Sequence, residues 1–88
     1  MGISDDEIRR ELRQFLLREF LPGENSSALT DKTPLLAQGI LDSISVLRFV
    51  LFLEKRFGIK LRGQDLAHRH LSTVTSVAAL VRSKIGQG

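Results

Sequence analysis

The chain has 88 residues, 42% of them hydrophobic and 26% charged, with a formal net charge of +3 and no cysteine. Such a sequence fills one domain with a single modest core, and excludes a catalytic cleft between lobes, a disulfide framework and thiolate metal sites. The charge is uneven, −3 over residues 1–42 and +6 over residues 43–88, and a basic second half fits nucleic acid, an acidic protein partner or a phosphate-bearing ligand.

The N-terminus lacks a basic segment followed by an apolar run. The longest apolar stretch, Phe49 to Leu53, is far too short to span a bilayer. A cytoplasmic protein with no membrane partner is therefore expected.

Ser4-Asp5-Asp6-Glu7 has the form of a capping box, which predicts a helix over about 4–20. Ile8, Leu12, Phe15, Leu16 and Phe20 recur at helical spacing, Arg9, Arg10, Arg13 and Gln14 take the other side, and Pro22-Gly23 ends the element. Asp5 and Asp6 sit in the first turn, where the helix dipole explains them without a catalytic role. A loop over about 21–42 follows. Leu29, Leu35, Leu36, Ile40 and Leu41 punctuate it, so it is expected to lie packed across the core, with Gly39 available for a positive φ.

A second helix is expected over about 43–57, starting at or just after Asp42 and stopped by Gly58. Val46, Phe49, Val50, Leu53 and Phe57 form a core face, whereas Ile44 and Leu51 fall on another face together with Arg48 and Lys55. An apolar pair framed by cations suggests a docking surface. Ile59 and Leu61 anchor an extended link to a short helix over about 64–70. Thr73 then caps a last helix over about 74–85, whose inner face is Val74, Val77, Ala78, Val81 and Ile85, before a frayed tail of residues 86–88. No strand is needed: the pattern gives an all-α fold in one domain spanning 1–88.

Catalytic chemistry finds little footing. A serine nucleophile needs a base held by a third group, and the two histidines, His68 and His70, fall in the short surface segment. As metal ligands they have Asp65 as the sole adjacent carboxylate and no thiolate, so neither a catalytic nor a metal site is expected. Nucleic-acid reading is disfavoured as well. The second helix offers no Arg, Lys, Asn or Gln before Arg48, and the chain has no Trp or Tyr for stacking.

Ser43 remains. An isolated Asp-Ser before a helix is explained by capping alone. Here it stands in a longer pattern: "TPLLAQGILDSI" from Thr33 to Ile44, "LEKRFGI" from Leu53 to Ile59, and "LSTVTSVAALV" from Leu71 to Val81. Across nearly the whole chain this resembles the acyl and peptidyl carrier proteins, whose attachment motif is Gly, two or three residues, then Asp-Ser-Leu or Asp-Ser-Ile. Its form looks most like the free-standing carriers of secondary metabolism.

The resemblance implies a small four-helix bundle with a long ordered loop between helices 1 and 2 and a short helix 3. It also implies a non-catalytic monomeric carrier. A phosphopantetheinyl transferase would move 4′-phosphopantetheine from coenzyme A onto the Ser43 hydroxyl, with Asp42 as the motif's acidic neighbour. An acyl- or aminoacyl-loading ligase would charge the arm as a thioester, and downstream biosynthetic enzymes would meet Ile44, Arg48, Leu51 and Lys55. A phosphate ester there is expected to have first-turn amides pointing towards it and to be favoured by the helix dipole. Many carriers are acidic on this helix, and this one is basic. The competing reading is an unmodified helical interaction module that uses the same Ile44, Arg48, Leu51 and Lys55 surface.

Overall fold

A computed structural model describes residues 3–25, 27 and 29–85. It is all-helical among these residues: α1 (Asp5–Phe20), α2 (Ser43–Phe57), a 3-10 turn (Gly63–Leu66), α3 (His68–Leu71) and α4 (Val74–Ile85). The expected frayed tail at 86–88 lies outside the described residues.

The capping box forms at α1. The Ser4 hydroxyl accepts from the Glu7 amide at 3.1 Å, and the Glu7 carboxylate accepts from the Ser4 amide at 3.5 Å. α1 then buries Ile8, Leu12, Phe15 and Leu16, mainly against α4. α4 supplies Val74, Val77, Ala78 and Val81, and α2 supplies Phe49 and Leu53. Thr73 caps α4, its hydroxyl accepting from the Ser76 amide at 3.1 Å. At the other end of α2, Gly58 takes φ 65°, a left-handed conformation that suits glycine, and the Glu54 carbonyl accepts from the Ile59 amide at 3.2 Å.

The segment between α1 and α2 lies across the core as the interspersed leucines predict. Leu29, Leu35 and Leu41 are each at most 2% exposed. Its backbone is tied down at several points, as burial of polar groups requires. The Leu35 amide donates to the Ser72 carbonyl at 2.8 Å, and the Leu41 amide to the Leu35 carbonyl at 3.1 Å.

Asp31 joins three parts of the molecule. Its carbonyl accepts from the Thr75 amide at 3.1 Å and from the Thr75 hydroxyl at 3.2 Å, at the start of α4. Its carboxylate pairs with Arg13 and, at 3.4 Å, with Arg9 Nε, both on α1. The polar side of α1 thus holds the loop as well as facing water, which helical periodicity alone does not distinguish.

The short element over 64–70 differs from expectation. It is a 3-10 turn followed by α3, separated by Ala67 in extended conformation (φ −60°, ψ 150°). The cause is Asp65, whose carboxylate accepts from the Arg62 amide at 2.8 Å and pairs with Lys84 of α4 at 2.8 Å. That fixes the turn against α4 and ends it after one cycle. The Asp65 side chain is buried, and the Lys84 ammonium, then the Arg62 amide, hold its carboxyl below the ordinary value.

Burial of the loop leucines generates a direct expectation. Leu35→Ala should lower the unfolding free energy by about 2–5 kcal/mol, read as a fall in the urea midpoint. The same truncation at exposed Leu51 should stay within about 0.5 kcal/mol.

The start of α2 as candidate functional site

Residues 34–39 turn the chain, with the Gln38 amide bonded to the Pro34 carbonyl at 3.0 Å and Gly39 at φ 74°. A side chain at Gly39 would be strained in that conformation. The turn sends Leu41 into the core and leaves Asp42, Ser43 and Ile44 exposed.

Asp42 is the N-cap of α2. Its Oδ1 accepts from the Ile44 amide at 3.0 Å and the Ser45 amide at 2.8 Å, and its carbonyl accepts from the Val46 amide at 2.9 Å. Ser43 is the first helical residue. Its hydroxyl makes no hydrogen bond to any described residue, so it projects into solvent unengaged. Neither histidine bonds to it: His68 is exposed and His70 half-buried in α3. Among the described residues no group of three or more histidines or carboxylates is arranged to hold a metal ion.

The cap corrects one expectation. The first-turn amides of Ile44 and Ser45 are not free for a phosphate, because the Asp42 carboxylate already takes them. Bonds from the Ser45 amide, then from the Ser45 hydroxyl, hold Asp42 below its ordinary value of 3.8. The negative charge that favours the helix start is built in.

Beyond Ser43 the exposed face of α2 is apolar. Ile44 is 73% exposed, Leu47 61% and Leu51 64%. Sequence reasoning placed Ile44 and Leu51 here and missed Leu47, although at 100° per residue Leu47 lies only about 60° from Ile44. The ridge runs into a groove of about 560 Å³ lined by Leu51, Glu54, Lys55, Gly58, Ile59 and Lys60. Lys55 is exposed and makes no ion pair with a described residue.

The arginines of α2 behave otherwise. Arg48 pairs with Glu19 of α1 at 2.5 Å and lies over the Phe20 ring, 5.3 Å from its centroid. Arg56 pairs with Glu11 of α1, also at 2.5 Å. Part of the basic character of α2 is neutralised within the molecule. Arg48→Glu would set one carboxylate against another at Glu19, so this substitution disturbs the α1/α2 seam as well as any docking face.

This architecture is that of the acyl-carrier type of helical bundle, with a free serine hydroxyl at the head of its second helix. The family model for the phosphopantetheine attachment site matches residues 7–81, and the chain belongs to that family, whose members carry a 4′-phosphopantetheine prosthetic group. Among solved structures, it is 30% identical to a chain in one titled "Crystal structure of FAD-dependent dehydrogenase". The match covers 80% of this chain and 97% of that one, with a TM-score of 0.74. No curated protein matches the sequence significantly. None of the described helices is long and apolar enough to cross a membrane.

A carboxylate with a depressed native pKa adds stability above its unfolded pKa and loses it as pH falls through the native one. Asp42→Ala should therefore lower the urea midpoint clearly at pH 6, and the gap from wild type should narrow as pH drops below about 3.8. Chemical denaturation of both proteins across that range checks this.

Proposed function

We propose that the protein is a non-catalytic carrier that holds acyl or aminoacyl intermediates on a 4′-phosphopantetheine arm attached to Ser43. The observation that carries this reading is the exposed, unengaged Ser43 hydroxyl at the first position of α2, inside the span of the family match. The residues fit the group. Ser43 offers a hydroxyl open to a large modifying enzyme, and Asp42 holds the helix start in place while it is modified. When bound, the arm supplies a terminal thiol that carries cargo as a thioester.

Ser43 needs no base of its own, since a phosphopantetheinyl transferase brings the base and the magnesium and uses coenzyme A as donor. Asp42 is then a recognition neighbour as well as a cap. Partner enzymes that reach the arm must cover the adjoining surface, so Ile44, Leu47, Leu51 and Lys55 are assigned to docking, with Arg48 at its edge. A loading ligase and downstream biosynthetic enzymes are the partners of this reading. The similarity to a chain in a FAD-dependent dehydrogenase structure favours a flavin-dependent dehydrogenase among them. In this reading the carrier acts as a monomer in the cytoplasm, in a secondary-metabolite pathway.

Intact-protein mass spectrometry after incubation with coenzyme A and a broad-specificity phosphopantetheinyl transferase tests this. Wild type should gain one phosphopantetheine and folded Ser43→Ala none. An unmodified wild type, beside a known carrier modified in the same tube, contradicts it.

A further inference from the structure

α1 and α2 meet through long side chains. The Phe15 and Phe52 rings stack with centroids 3.9 Å apart, and the Arg56–Glu11 and Arg48–Glu19 pairs bridge the helices on either side. Outside the stacked rings lies an open groove of about 410 Å³, with Arg10, Gln14 and Arg18 along one wall and Arg56 on the other. Among the described residues Glu11 is the single carboxylate in its lining, and Arg56 already occupies it. Arg10 is exposed with no carboxylate of the described residues in ion-pair range, and Arg18 is exposed beside Glu19 at 3.2 Å, a carboxylate it shares with Arg48. The groove therefore presents surplus positive charge around an aromatic floor.

Its position matters as much as its charge. Counting 100° per residue, Phe52 and Arg56 lie about 80° and 120° round α2 from Ile44. A ligand in the seam would leave Ser43 and the Ile44–Leu47–Leu51 ridge open.

We infer that this groove docks an acidic amphipathic helix of a partner protein, apart from the face that presents Ser43. Arg10 and Arg18 stand about 12 Å apart along α1. The matching helix carries carboxylates two turns apart with an apolar side chain between them, seated over Phe52. Exposed ion pairs contribute little each and are screened by salt, so the contact is weak and salt-dependent. Its use is retention: a partner holding the seam keeps the protein nearby while other proteins approach α2 from the ridge side. The inference stands whether or not Ser43 is modified.

The probe is a fluorescein-labelled, alanine-based helical peptide of about 20 residues with a central Leu and a Glu one helical repeat to either side. A control peptide carries Gln in place of both Glu. Polarisation at about 20 mM NaCl should show saturable binding that weakens at least tenfold at about 500 mM, for the Gln peptide, and for the Arg10→Glu/Arg18→Glu protein. Gln14→Glu, at an exposed position on the same wall, should weaken binding in the same direction if the double variant fails to fold. Amide chemical-shift changes should cluster at residues 10–18 and 52–56. Equal binding of the Gln peptide or of the arginine variant, changes centred on residues 44–51, or no saturable binding up to about 1 mM would each overturn the inference.

Discussion

The segment from Leu29 to Leu41 has to bury three leucines while its backbone polar groups still find partners, and the rest of the molecule is arranged around how it does so. Asp31 is the fastening. Its carbonyl closes the start of α4 and its carboxylate gathers Arg9 and Arg13 from α1. The Leu35 amide reaches the carbonyl of Ser72 just before α4. With both ends of the loop fixed, the turn at Gly39 leaves the chain one direction to go. Leu41 enters the core and Asp42-Ser43 emerges at the surface as the head of α2. The unengaged serine hydroxyl is a product of this packing, because everything beside it is held: Asp42 by two amides, Ile44 and Ser45 by Asp42.

Charge tells a similar story of internal use before external use. The excess of cations after residue 42 suggested a basic docking helix, but Arg48 and Arg56 are spent on Glu19 and Glu11, and Lys84 on Asp65. What α2 offers beside Ser43 is an apolar ridge with a lysine at its far end. Burying that ridge supplies non-directional attraction, and a partner needs few carboxylates to set the register. Two pairs, Arg48–Glu19 and Arg56–Glu11, join the acidic first half of the sequence to the basic second half, which a net charge cannot reveal.

Much of this was legible in the sequence because it is local. The Ser4–Glu7 box, the Asp42 cap, the Gly58 stop and the Thr73 cap each depend on residues within a turn of one another. The buried loop was legible too, since Leu29, Leu35 and Leu41 have no other reason to punctuate a polar stretch. What escaped was non-local. The split of the 63–71 segment follows from Lys84, nearly twenty residues on, and the reassignment of Arg13 and Arg48 from solvent to ion pairs follows from carboxylates on other elements. Leu47 escaped for a different reason. A leucine among the apolar residues of α2 reads as core until the helix orientation is fixed by Phe49 and Leu53.

Ser43 and its neighbour Ser45 differ in setting: Ser43 is exposed at the first position of α2, whereas Ser45 is half-buried and its amide is tied to the Asp42 carboxylate. Tandem mass spectrometry of the peptide spanning both serines, after transfer from coenzyme A, locates the attachment point. Phosphopantetheine is expected on Ser43, with full modification of Ser45→Ala. Phosphopantetheine on Ser45, or loss of modification in Ser45→Ala while the fold is intact, would contradict attachment at Ser43.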